Sequence, residues 1–176
     1  MCFRISSLET GRQFCRICSA DGKTGAKAKS LPTLITFFGY GNKKQDIPGK
    51  VFTNFIHFSL NAHEQKLEMD DEYYKKFFNS IKPNGRNYAF DPIQNYDAQK
   101  AFFNGMSLRV MRALEYIKSR LEWNGKDLIA RGSSQGGLQT LWAAALDKDV
   151  TRADVAIPWC CDLAATEKQK RISGSW

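Results

Sequence analysis

Long apolar runs are missing from this chain. No stretch of about 18 consecutive apolar residues occurs, which excludes a transmembrane helix, and no membrane partner is expected. The first 30 residues lack the apolar core of a secretory leader, so the default expectation is cytoplasmic. Cysteines number five, an odd count, with Cys160 and Cys161 adjacent. Neighbouring cysteines rarely bridge each other, so no disulfide framework is indicated and a reducing compartment is the default. Acidic residues are outnumbered, 18 against 26 Lys and Arg, giving a formal net charge of +8. The basic residues are scattered in short groups such as Lys23/Lys27/Lys29 and Lys168/Lys170/Arg171. No long basic block is interleaved with aromatics, so nucleic acid is not an expected partner. No internal repeat is visible, and only two histidines occur, His57 and His63.

What remains is ordinary globular composition: 43% apolar, 12% aromatic and 25% charged over 176 residues. A chain of this length folds as one domain and buries roughly 70% of its unfolded surface. Cys2 to Ser6 and Arg12 to Cys18, separated by Glu9-Thr10-Gly11, read as a hairpin at a sheet edge, within residues 1–20. After a Gly- and Lys-rich connection, Leu34 to Phe38 is a continuous β-branched and aromatic run, as expected of a strand buried on both faces. Gly39-Tyr40-Gly41-Asn42 breaks it, and Phe52 to Leu60 is a second strand of the same kind. Asn61 to Asp97 is polar and irregular, an excursion or a set of short helices.

From Phe102 the period changes. Phe103, Met106, Val110, Ile117 and Leu121 form one stripe of an amphipathic helix, ended by Asn124-Gly125. Asp127 to Arg131 is a strand, and a helix follows through Leu146. Ala153, Val155 and Ile157 alternate into a last strand closed by Pro158. Strand, helix and strand in alternation predict a parallel α/β sheet.

Between the strand and the helix lies Gly132-x-Ser134-x-Gly136. A nucleophilic serine on a tight strand-to-helix turn sits in a strained conformation, and flanking glycines remove the Cβ clashes. The turn lifts the hydroxyl above the carboxyl edge of the sheet, and the helix N-terminus favours developing negative charge. By this logic the Gln135 backbone N–H is one oxyanion donor, and Gly39-Tyr40-Gly41 is placed to supply the second. The competing reading is a glycine-rich turn of any doubly wound protein, in a non-catalytic binding or interaction module.

Gly132-Ser133-Ser134-Gln135-Gly136-Gly137, then Ala153-Asp154-Val155-Ala156-Ile157-Pro158 and Cys161-Asp162, resemble the acetyl xylan esterase/cephalosporin-C deacetylase family of α/β-hydrolases. Phe38-Gly39-Tyr40-Gly41 is similar to that family's His-Gly-Tyr loop, and Phe103 to Leu121 to its helix before the nucleophile strand. The resemblance implies a three-layer α/β-hydrolase fold with a mostly parallel sheet, C-terminally incomplete. Residues 1–176 would be one partial domain, with a core over 31–176 and the nucleophile elbow at 132–136. It implies Ser134 as nucleophile, an oxyanion hole from the backbone N–H groups of Tyr40 and Gln135, and no metal or organic cofactor. The implied substrates are acetylated xylan, xylo-oligosaccharides or related small acetate esters, and the intact protein would be a homo-oligomer. A different α/β-hydrolase, such as a prolyl-oligopeptidase-like peptidase, is the neighbouring alternative. Two departures stand out: Phe38 replaces the loop histidine, and Asn61-Ala62-His63 replaces an Arg-Gly-Gln found in well-known members.

A serine hydroxyl needs a base, normally a histidine oriented by a carboxylate lying later in the chain. After Ser134 come Asp147, Asp149, Asp154, Asp162 and Glu167, but no histidine. The resemblance places the catalytic Asp and His beyond Trp176, so this chain alone is expected to be weak or inactive. His57, inside a strand pattern, reads as a core or edge residue. His63, at the carboxyl edge, reads as loop or interface structure, with a base role the lesser alternative, and Asp162 reads as structural. Cys15-x-x-Cys18 lies on an extended run where positions i and i+3 face opposite sides, so it is not expected to hold a metal.

Overall fold

The computed structural model describes residues 2–4, 16–19, 28–40, 54–61, 63, 65–66 and 69–159. Two short strands, β1 (Cys2–Arg4) and β2 (Arg16–Ser19), pair antiparallel at one margin of a sheet. The β-branched and aromatic runs form β3 (Leu31–Phe37) and β4 (Ile56–Leu60), paired in parallel with Ile35 opposite Phe58. Helix α1 (Asp71–Ser80), a single 3-10 turn at Tyr88–Phe90 and α2 (Pro92–Tyr96) occupy the polar excursion. Then come α3 (Phe102–Lys118), β5 (Trp123–Ser133), α4 (Gln135–Leu146) and β6 (Arg152–Ala156). The strand order is β1-β2-β4-β3-β5-β6, with β4, β3, β5 and β6 all parallel. The α/β architecture with a mostly parallel sheet is the one expected.

Alternation along the strands decides which face is packed. Ile35, Phe37, Ile56, Phe58, Leu60, Leu128 and Ala130 point to one side, where they meet Val110, Ala113, Leu114 and Ile117 of α3 and Ala143 of α4. Each fully buried aliphatic or phenyl group there contributes roughly 1.5–3 kcal/mol. The intervening positions carry Thr36, His57, Arg131 and Asp154 on the other face. There Thr36 Oγ1 bonds His57 Nε2 at 3.0 Å, and Arg131 donates to Asp154 at 2.8 Å. Burial first, then the Arg131 charge, lowers the His57 pKa below its ordinary value.

Several local expectations need correction. Helix α3 stops at Lys118, and Leu121 is 78% exposed instead of continuing the buried stripe. In place of a further helical turn, the chain there joins the start of β3: the carbonyls of Leu121 and Glu122 accept the N–H groups of Lys29, Ser30 and Leu31. Asn124-Gly125 therefore does not end a helix. It lies within β5, where the Asn124 side chain accepts the backbone N–H groups of Lys126 and Asp127 and the pairing with β3 shifts register. The last strand ends at Ala156. Its apolar residues are not core: Ala153 is exposed and Ile157 is 80% exposed. Among the described residues β6 ends the sheet on the side opposite β1, and Asp154 on it accepts from both Arg131 and Arg152.

Candidate functional site

The parallel strands β3 and β5 end side by side, Phe37 opposite Gly132. The turns leaving these two strands build the site. Ser134 stands between β5 and α4 with φ 56° and ψ −123°, a left-handed conformation that a non-glycine residue adopts at a cost of about 1–3 kcal/mol. The surroundings hold it there. Its N–H donates to the Ala156 carbonyl at 3.0 Å, and its carbonyl accepts from Leu138 at 3.2 Å and Trp159 at 2.9 Å. Its side chain makes no capping bond to α4, so the hydroxyl is not committed to the helix it precedes.

Close backbone approach explains the two flanking glycines. A Cβ on Gly132 would lie 2.2 Å from the Gly136 carbonyl oxygen, and one on Gly136 would lie 2.3 Å from that of Phe37. The elbow is thus clamped directly onto the end of β3. The loop beyond β3 presses on it as well, since a Cβ on Gly39 would sit 3.2 Å from the Ser133 oxygen and 3.7 Å from the Ser134 Cβ. Tyr40, next in that loop, is 38% exposed. Gln135 opens α4, where backbone N–H groups lack intrahelical partners, and its own side chain is buried. Gln139, one turn on, donates to the Phe38 carbonyl at 3.2 Å and ties the helix to the same loop. Ser134, Gln135 and the Tyr40 loop therefore converge on one place at the carboxyl edge. An uncommitted hydroxyl beside the start of a helix is an arrangement whose chemistry suits attack on a carbonyl.

The histidines are engaged elsewhere. His57 lies within β4 and bonds Thr36. His63 is 1% exposed, and its Nε2 is 2.8 Å from the Tyr88 hydroxyl. Burial, aided by the Arg109 charge, lowers its pKa to about 4, so the ring is neutral near pH 7. The later carboxylates are equally occupied. Helix α4, rising 1.5 Å per residue, carries the chain about 18 Å from the elbow, and Asp147 and Asp149 there both bind Lys118, at 2.7 and 3.0 Å. Asp154 is held by Arg131 and Arg152, which lower its pKa. Gly41, Cys15, Cys160, Cys161, Asp162 and Glu167 lie outside the described residues.

Tyr88 is the residue that sequence reasoning passed over. It is 1% exposed, stacked on Phe102 at 4.2 Å, and bonded to both His63 and the Gln135 side chain. Capping signals nearby were readable. Asp70 accepts the Tyr73 N–H, and Asp91 before Pro92 accepts those of Ile93 and Gln94, each marking a helix start.

A model of the acetyl xylan esterase family, Acetyl xylan esterase (AXE1), matches residues 10–170. The chain is 30% identical over 148 residues to the acetyl esterase Axe7A of Xylanibacter ruminicola, a match covering 78% of this chain and 32% of that protein. An acetyl xylan esterase from Paenibacillus sp. R4 has a similar structure, with TM-score 0.62 and 17% identity, over 92% of this chain and 54% of that one. At that identity the likeness is one of fold. The chain spans about a third of the length of the curated relative and about half that of the solved structure.

Proposed function

The chain belongs to the acetyl xylan esterase family, and from that premise we propose that the protein it forms is a serine esterase acting on acetyl esters of xylan, xylo-oligosaccharides or related small molecules. Ser134 Oγ attacks the acetyl carbonyl, and the backbone N–H groups of Tyr40 and Gln135 receive the oxyanion. The alcohol leaves, and water then releases acetate from the acyl-enzyme. Each oxyanion donor contributes roughly 3–4 kcal/mol to the transition state. The observation that carries this proposal is the left-handed Ser134, uncapped and pressed against the loop that bears Tyr40.

With His57 bonded to Thr36 and His63 to Tyr88, neither supplies the base in this proposal. The base and its carboxylate would come from sequence beyond Trp176, as the family resemblance implies. The expected outcome is weak or no turnover by the 176-residue chain, and Ser134-dependent acetate release once the protein includes that later sequence. Acetate release from p-nitrophenyl acetate and acetylated xylan, compared between wild type and Ser134→Ala, tests it. Hydrolysis that survives Ser134→Ala, or a protein that includes the later sequence yet ignores acetyl esters, would refute the assignment.

A further inference from the structure

We propose that Tyr88 and His63 form a positioning pair that sets both oxyanion donors at once, an inference that rests on the esterase function proposed above. The two donor residues reach the site from opposite directions, Tyr40 from the loop after β3 and Gln135 from the start of α4. Their side chains meet at one buried phenol. Gln135 Nε2 donates to the Tyr88 oxygen at 2.6 Å, and the Tyr40 ring lies against the Tyr88 ring at 5.9 Å. The Tyr40 ring also meets the edge of His63, centroids 5.4 Å apart and planes at 87°.

The wiring follows from donor and acceptor chemistry. Gln135 Nε2 donates to the Tyr88 oxygen, and the same oxygen shares a hydrogen bond with His63 Nε2, 2.8 Å away, so one phenol joins both side chains. Tyr88 is the only hydrogen-bond partner of that ring among the described residues. The pair is itself held firmly. Phe102 stacks on Tyr88, Phe78 meets His63 at 5.9 Å, and the His63 backbone N–H donates to Asn61 Oδ1 at 2.8 Å. Neither Tyr88 nor His63 need touch substrate. Their role is to fix the Gln135 side chain and the Tyr40 ring, and through them two backbone N–H groups whose placement must hold within a fraction of an ångström.

Tyr88→Phe removes one oxygen and keeps the stacked ring, so it separates positioning from packing. In the 176-residue chain, the amide cross-peaks of both Tyr40 and Gln135 should move in this variant, while those of Lys118 and Asp149 stay in place. The wild-type His63 ring should show the nitrogen-15 pattern of a neutral imidazole, and Tyr88→Phe should disturb it. His63→Gln, which keeps a hydrogen-bonding partner for the phenol, should leave the Gln135 peak closer to wild type than Tyr88→Phe does. In the active esterase, Tyr88→Phe should lower kcat roughly 10- to 100-fold with KM unchanged. Movement of only one of the two amide peaks, or of neither, would overturn the pair, as would an unchanged kcat. If wild-type hydrolysis proves independent of Ser134, esterase function is refuted while the two cross-peaks still decide whether Tyr88 couples Tyr40 to Gln135.

Discussion

The elbow at residues 132–136 and the segment that lies against it, residues 61–101, are held by opposite means. Around Ser134 the contacts are backbone on backbone. Glycine carbonyls, the Phe37 oxygen and the Ala156 oxygen leave no volume for a Cβ. In the described part of the 61–101 segment, side chains hold the chain: Asp70 and Asp91 cap helices, Asn84 and Asn95 bond across loops, and Tyr88 stacks on Phe102 of α3 and meets His63 edge-on. The first kind of constraint is all-or-none, because a peptide group cannot be trimmed. The second is graded, because each side chain can be shortened, swapped or protonated singly.

The sharpest test of that contrast is Gly132→Ala. Its methyl would meet Thr140 Oγ1 at 2.7 Å and the Gly136 oxygen at 2.2 Å, and that backbone oxygen cannot withdraw without moving α4 from the sheet. A loss of roughly 3 kcal/mol or more is expected from urea denaturation. A loss under about 1 kcal/mol would show that the elbow is as pliable as the segment beneath it.

Next in size is the response of the graded region to acid. His63 titrates near 6.5 when unfolded and near 4 when folded, so the unfolded chain takes up the proton first. Stability from this group is therefore complete above pH 6.5 and drains away as pH falls toward 4. The slope is about 1.4 kcal/mol per pH unit, for a total of about 3 kcal/mol. The groups facing the ring are Tyr88, Tyr40 and the Arg109 guanidinium, and Arg109 opposes protonation. His57 acts in the same direction, and the lowered Asp91, Asp97 and Asp154 extend the loss below pH 3.8. Urea midpoints measured across this range should fall, and His63→Gln should flatten the slope.

The smallest effect is a gain. Ser134→Gly removes the strain of φ 56°, worth about 1–3 kcal/mol, against roughly 0.4–1 kcal/mol for the freedom glycine adds to the unfolded chain. A net stabilisation of about 1 kcal/mol should accompany the loss of the proposed nucleophile. A destabilised Ser134→Gly would mean that the serine conformation costs nothing.

The same contrast explains how much was legible in the sequence. Glycines at 132 and 136 report a backbone requirement, and backbone requirements leave a spacing that can be read without coordinates. The pattern accordingly marks Ser134, Gln135 and the Gly39-Tyr40-Gly41 loop, the family resemblance singles out Tyr40 within it, and the described residues among them lie at one edge. Tyr88 left no such mark, because one tyrosine in an irregular segment has no period and its partners lie far along the chain. Leu121 failed for a related reason. It kept the helical spacing, but the helix had already ended at Lys118, and the Leu121 and Glu122 carbonyls bond residues 29–31 instead. The alternation in β6 was real, yet hydrophobic pattern records what a side chain prefers and not whether anything covers it.

Among the described residues β6 stands at one end of the sheet. The free margin of a sheet is a template on which another strand can add, and a flat apolar margin invites it. Here Arg152 and Asp154 stand on β6 and Arg131 beside it, joined at 2.8 Å. A visiting strand would have to strip water from all three charges. Added salt would weaken that guard, since the screening length falls from about 10 Å at 0.1 M to about 3 Å at 1 M.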